Sequence, residues 1–343
     1  SGSAIRSHRR GRRWAVVSVP QGTEPAEMAL AVSRGGGIRF AEPDFLMKGN
    51  SYTPSDANIG DQEWAETIRL KEAWGLMIDT WGLSVGGTEV LLALVDSGIQ
   101  MYGGLTVDHP DLDPARFRVT HKDAAGVYVS HDLWKGDVLP IDTNGHGTKV
   151  AGILAATGDN GAGMAGVNWD SDVFVARVLD DDNNTCVGAV EEALDVIAEY
   201  ARDRGISRVV VNLSLGSTIE EEVESLQTMI DSLDADTFLL CCAPDFWKDG
   251  ATGEWHADHP SAYAATRDHV ISVGESDVDD KVRTPFETMT LADAKEITLV
   301  APGEDAYTTL RHDPSDAAAT AYGEADGTSM ACPMVAGVAS LMW

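Results

Sequence analysis

A chain of 343 residues can make one large α/β domain or two ordinary ones. It carries 55 Asp and Glu against 25 Lys and Arg, a formal net charge of −30, which argues against nucleic-acid binding and against simple adsorption on anionic membranes, since both need basic patches. No run approaches the roughly eighteen apolar residues that cross a bilayer, so no membrane span is expected. The acidic excess fits a solvated surface, a high-salt habitat, bound cations or the attraction of basic substrates.

Residues 1–12 read as a cloning remnant, Ser1-Gly2-Ser3, and a basic leader. From Arg13 to Lys48 the pattern predicts a strand (Trp14 to Pro20), a helix (Glu24 to Ser33) and a strand (Ile38 to Leu46), a small α+β unit over 13–49 ahead of a larger domain over 50–343. In that domain Val90-Leu91-Leu92-Ala93-Leu94-Val95-Asp96-Ser97-Gly98 is an apolar run with a carboxylate at its downstream edge. It predicts a buried parallel strand delivering Asp96 to the carboxyl edge of a sheet, where ligand and catalytic groups collect. Asn144-Gly145-His146-Gly147-Thr148-Lys149-Val150-Ala151-Gly152 sets a histidine between two glycines at the start of a small-residue helix, with the ring free.

Further along, Val173 to Leu179 predicts a buried strand, Asp180 to Asn184 a polar turn, Gly188 to Arg204 an amphipathic helix, and Val209 to Gly216 the next strand. Phe238 to Asp245 opens with an apolar strand in which Cys241 and Cys242 behave as small hydrophobes. With Cys186 and Cys332 these make neither a disulfide framework nor a C-x-x-C zinc spacing. Last, Gly327-Thr328-Ser329-Met330-Ala331-Cys332-Pro333 runs into an apolar helical stretch. A serine there would sit at a helix N-terminus, where unpaired N–H groups and the dipole favour an oxyanion.

Carboxylate, histidine and serine thus occur in the order Asp, His, Ser. The phrases D-S-G, H-G-T-x-V-A-G and G-T-S-M-A-x-P resemble the three signatures of the subtilisin-like serine peptidases, the subtilases, whose triad has this chain order. The entry segment Tyr52 to Trp74 is similar to that of the thermitase branch. The resemblance implies a three-layer α/β/α fold with a mostly parallel sheet. It also implies a serine endopeptidase with Ser329 as nucleophile, His146 as base and then acid, and Asp96 orienting the ring. Ser214-Leu215-Gly216 and Asn184-Thr185 would form the two walls of the substrate groove, with Asp180 to Asp182 beside it favouring basic peptides. Residues 13–49, with Ala41-Glu42-Pro43-Asp44-Phe45, resemble the closing half of an inhibitory propeptide, which would be the enzyme's own partner. Residues 124–138, with Tyr128, His131 and Trp134, form an insertion relative to compact members, expected on the surface with a solvated histidine.

The loop Thr157 to Met164 resembles the family's strong calcium loop. Asp56, Asp111 and Asn160 fall at its side-chain ligand positions and Thr157, Ala162 and Met164 at its carbonyl positions. Two departures stand out. Pro244-Asp245 replaces the usual Gly-Asn whose amide donates to the oxyanion, a loss worth about 10²–10³ in turnover as known from this family. The helix opened by Ser329 reaches Trp343, where the family continues further, so the catalytic domain is expected to be truncated at that end. A second reading from another class is an inactive peptide-binding or regulatory module. An esterase is disfavoured, because Ser329 lacks the G-x-S-x-G setting. Secretion is favoured by the resemblance, with an intracellular site left open by the free cysteines; substrate preference and oligomeric state are not specified.

Overall fold

The computed structural model describes residues 5–7, 16–17, 28, 51–216, 223–248, 252, 254–277, 279, 281–283, 296–316 and 318–343. The chain divides into two compact units, Ser1–Gly49 and Asn50–Trp343. In the first, Ile5–Ser7 within the basic leader pairs antiparallel with Val16–Val17. The strand expected over Ile38 to Leu46 lies outside the described residues.

The larger unit is built on a seven-stranded parallel sheet. Its strands are β1 (Leu91–Asp96), β2 (Phe117–Arg118), β3 (Val173–Arg177), β4 (Val209–Leu213), β5 (Phe238–Cys242), β6 (Val270–Ser276) and β7 (Leu299–Pro302), in the spatial order β7-β6-β5-β4-β1-β3-β2. The apolar runs are long enough to be buried on both faces, and β1, β3 and β4 are buried throughout. Period-two alternation then assigns each face a layer. Leu92 and Leu94 of β1 share one core with α1 (His146–Ala155) and α4 (Thr328–Met342), whereas Leu91, Ala93 and Val95 share the other with α2 (Val187–Arg204) and α3 (Glu224–Ser232). This is the expected three-layer α/β/α fold.

The chain leaves β1 toward β2 and β3 on one side and returns to β4 on the other, so the strand order reverses between β1 and β4. Such a switch point opens a crevice at the carboxyl ends of two neighbouring strands. Asp96 ends β1, and Ser214 follows β4. Gly147 lets α1 start against the β1 turn. A Cβ there would stand 2.2 Å from the Gly98 carbonyl oxygen and 3.2 Å from Asp96 Oδ1. Gly98 itself has φ +104°, a conformation side chains rarely adopt.

The insertion departs from expectation. His131 is fully buried rather than solvated: its ring stacks on Phe174 of β3, and its Nδ1 donates to the Val175 carbonyl (2.7 Å). Its Nε2 accepts from His121 Nδ1 at 2.8 Å. Tyr128 is exposed, as expected for an outer turn.

The close approach at Gly147 predicts that Gly147→Ala, whose Cβ would press first on the Gly98 backbone, lowers unfolding free energy by about 1–3 kcal/mol. A urea midpoint equal to that of the parent chain would contradict the rigidity of this contact.

Candidate active site

Asp96 is fully buried at the end of β1, and His146 opens α1 with its ring mostly covered. Their contact is short: His146 Nδ1 stands 2.7 Å from Asp96 Oδ1, which also accepts the Ser97 N–H at 2.7 Å. Burial opposes protonation of the imidazole, but the adjacent Asp96 charge and hydrogen bond outweigh it, and the His146 pKa is raised above its ordinary 6.5.

A residue overlooked in the sequence holds this corner together. Asp142 is fully buried and caps the start of α1: Oδ1 accepts Gly145 N–H (2.7 Å) and Ser97 Oγ–H (2.9 Å), while Oδ2 accepts the Thr148 N–H (2.9 Å) and hydroxyl (2.6 Å). Ser97 Oγ in turn accepts the Gly147 N–H at 2.8 Å. The Asp-x-Asn-Gly-His spacing of a carboxylate capping a turn was the available signal.

Ser329 is the second residue of α4 and half-buried. Two reciprocal hydrogen bonds tie it to the β4 edge: Ser214 Oγ donates to the Ser329 carbonyl (2.9 Å), and Ser329 Oγ to the Ser214 carbonyl (3.4 Å). α1 and α4 pack against each other on one face of the sheet. The Ser329 hydroxyl is turned to Ser214 and not to His146. Among the described residues its backbone N–H donates to no protein acceptor.

A cavity of about 750 Å³ ends on Ser329. The residues expected at both walls, Ser214-Leu215-Gly216 and Asn184-Thr185, line it together with Asp245 and Asp258. Asp96 and His146 lie outside its lining. The Pro244-Asp245 loop is fastened to the serine's helix by Thr328 Oγ1–H donating to the Pro244 carbonyl at 3.0 Å. Asp245 is exposed, and its Oδ1 accepts the Phe246 N–H (2.8 Å). The aspartates flanking the groove are committed elsewhere: Asp180 Oδ1 accepts the N–H groups of Asp182 and Asn184, and Asp181 pairs with Arg177 at 2.8 Å. The expected negative patch at 180–182 is therefore largely a turn and an ion pair.

Comparison with known proteins identifies the family and the fold. Residues 87–343 match the model of the subtilase family. The chain belongs to the subtilase family. Thermitase of Thermoactinomyces vulgaris is 28% identical over 85% of each chain. The major intracellular serine protease of Bacillus subtilis is 30% identical over 85% of this chain and 78% of its own. A cold adapted subtilisin-like serine proteinase shares the fold, with a TM-score of 0.53 and 22% identity over 74% of this chain and 75% of that one. The protein is thus a subtilisin-like serine peptidase, and protein or peptide is its substrate class. Relatives named as intracellular stand beside the others, so family does not assign a compartment. Among the described residues no helix is long and apolar enough to cross a membrane.

The subtilase calcium loop was tested against the donors present. Asp56 and Asp111 are buried, and Asp56 Oδ1 has no hydrogen-bond partner. Burial pushes Asp111 up to about 6 and holds Asp56 above its ordinary range. Asn160 Nδ2 donates to Asp111 Oδ1 (2.9 Å) and the Met164 N–H to Oδ2 (2.7 Å). Among the described residues the carbonyls of Thr157, Ala162 and Met164 accept no backbone hydrogen bond. Two buried carboxylates with uncommitted carbonyls fit a hard cation that takes roughly six to eight oxygens. No group of three or more His, Cys, Asp or Glu gathers among the described residues.

The raised His146 pKa has a defined sign. A proton held more tightly in the folded state stabilises it fully below 6.5, and that contribution is lost as pH rises through the raised value. An NMR titration of His146 in Ser329→Ala should therefore give a midpoint above 6.5, and adding Asp96→Asn should lower it. A midpoint insensitive to Asp96 would mean the pair does not form.

Proposed function

We propose that the chain hydrolyses peptide bonds through an acyl-enzyme. Ser329 is the nucleophile, His146 its general base and then the acid that protonates the leaving amine, and Asp96 holds the ring and stabilises the imidazolium. The observation that carries this reading is the 2.7 Å contact between buried Asp96 and His146 at the same switch-point edge that carries Ser329. The relay requires the Ser329 hydroxyl to turn from the Ser214 carbonyl to His146.

An extended substrate would add to the Ser214–Gly216 edge by main-chain hydrogen bonds and bring its scissile carbonyl over Ser329. The uncommitted Ser329 N–H at the start of α4 is one oxyanion donor. Asp245 occupies the place of the second. An ionised carboxylate has only acceptors to offer developing negative charge. Its exposure removes the burial on which a protonated, donating form would depend. Slow turnover at neutral pH follows, in preference to a narrow acid optimum. The alternative of an inactive peptide-binding module differs in one observable, covalent reactivity of Ser329.

Calcium, where bound, would be held by Asp56, Asp111 and Asn160 with the carbonyls of Thr157, Ala162 and Met164, and would neutralise the buried carboxylates. Residues 13–49 are read as the closing part of a propeptide that the peptidase removes near 47–51.

A serine-directed fluorophosphonate should label the protein and fail to label Ser329→Ala. Equal labelling of the two would remove Ser329 from the mechanism, and no labelling of either would favour the binding module. Asp245→Asn should raise neutral-pH peptidase activity by about ten- to a thousandfold, and Asp245→Asn with Ser329→Ala should be inactive. An unchanged rate in Asp245→Asn would show that this side chain does not reach the oxyanion.

Calcium binding only to the folded chain should raise Tm with concentration. Tm should fall in excess chelator, and Asp56→Asn should blunt the difference. Equal Tm values in chelator and in calcium would discard the site.

A further inference from the structure

The cavity that ends on Ser329 is acidic. Of the charged side chains lining it, Asp245, Asp258 and Glu275 are acids and Arg283 is the base. Arg283 is engaged by Glu275 at 3.7 Å and by Glu304 at 3.4 Å. Asp245 and Arg283 are exposed, whereas Asp258 is only 2% exposed.

The position of Asp258 is unusual for a buried carboxylate. Its Oδ1 accepts the Asp245 N–H at 3.0 Å, and its own N–H donates to the Asp245 carbonyl at 2.9 Å. On the other side Oδ2 crowds Gly216, where an added Cβ would stand 1.8 Å away. Asp258 therefore sits where the Pro244-Asp245 loop meets the Ser214–Gly216 edge. A substrate laid along that edge, with its carbonyl at Ser329, would send the side chain of the same residue between these walls toward this carboxylate.

We propose that Asp258 makes the peptidase select a cationic side chain, Lys or Arg, at the residue whose carbonyl Ser329 attacks. The proposal rests on the reading of Ser329 as nucleophile. Folding has already desolvated the Asp258 carboxylate, so an incoming ammonium or guanidinium adds only its own desolvation before the two charges attract at short range. An acidic side chain meets like charge from Asp258 and Glu275, and an aliphatic one leaves the attraction unused. The net charge of −30 acts in the same direction at longer range by concentrating cationic peptides. The selecting group is thus a single carboxylate inside the cavity, and not the aspartates at 180–182.

The test uses the full chain and a set of peptidyl diphenyl phosphonates, which phosphonylate an active serine even where turnover is slow. The set is identical except for Lys, Arg, Leu, Phe or Glu at the reacting residue. Lys and Arg probes should label at least about tenfold faster than Leu, with Glu slowest. Asp258→Asn keeps an acceptor for the Asp245 N–H and should bring the Lys-to-Leu ratio toward one. The ratio is the readout, because a general loosening of the loop would slow all probes alike. Labelling by a plain fluorophosphonate together with a Leu or Phe probe equal to or faster than Lys overturns the proposal while leaving the nucleophile in place. A ratio unchanged in Asp258→Asn overturns the role of Asp258. Absence of labelling by every probe, the plain one included, overturns the nucleophile reading and this proposal with it.

Discussion

The site depends on how closely α1 can approach the carboxyl end of β1. Asp96 and His146 are fifty residues apart, and a 2.7 Å hydrogen bond between them survives only if the two backbones meet almost without side chains. Glycine at 98 and 147 permits that meeting, and the Ser97–Asp142 hydrogen bonds fix it from behind. Asp142 spends both carboxylate oxygens on the start of α1, so the histidine sits on a capped and rigid helix end. The second half of the site is assembled by a different device. Ser329 is held by paired hydrogen bonds to the residue after β4, the neighbour of β1 in the sheet. Adjacent parallel strands therefore convert two remote sequence motifs into one crevice.

Much of this was legible in the chain. The strand ending in Asp96, the helix opening with His146 and the helix carrying Ser329 each announce themselves by an apolar run beside a polar residue bounded by glycine. Both walls of the cavity were anticipated from the resemblance to the family. What escaped were groups whose importance comes from long-range partners. Asp142 is two residues from Asn144 and looks like an ordinary turn residue, and Asp258 stands in a segment without periodicity. The Asp-x-Asn-Gly spacing marks Asp142 as a turn cap without showing its burial, and Asp258 carries no such local pattern. His131 was misread for the same reason: the insertion is polar in sequence, yet its ring fills the space over Phe174.

The acidic character of the protein is also unevenly distributed in function. Asp180 and Asp181 organise a turn and neutralise Arg177, which itself reaches the Ile141 carbonyl and Thr143 just ahead of His146. Asp245 and Asp258 both line the cavity that ends on Ser329, the first exposed and the second buried. Carboxylates that look interchangeable in a composition thus differ in burial and in partner.

The paired rings of His121 and His131 fix the direction of a proton. A carbonyl can only accept, so His131 must carry hydrogen on Nδ1 toward Val175, which leaves its Nε2 bare to receive the Nδ1 hydrogen of His121. Only neutral His131 can stand in that chain, and burial pushes its pKa down to about 4. Between 6.5 and that value the unfolded chain takes up a proton that the folded one refuses, so acid erodes the fold at this corner. His146, whose proton is held more tightly when folded, acts in the opposite sense. His131 therefore makes the fold yield to acid, and His146 makes it resist.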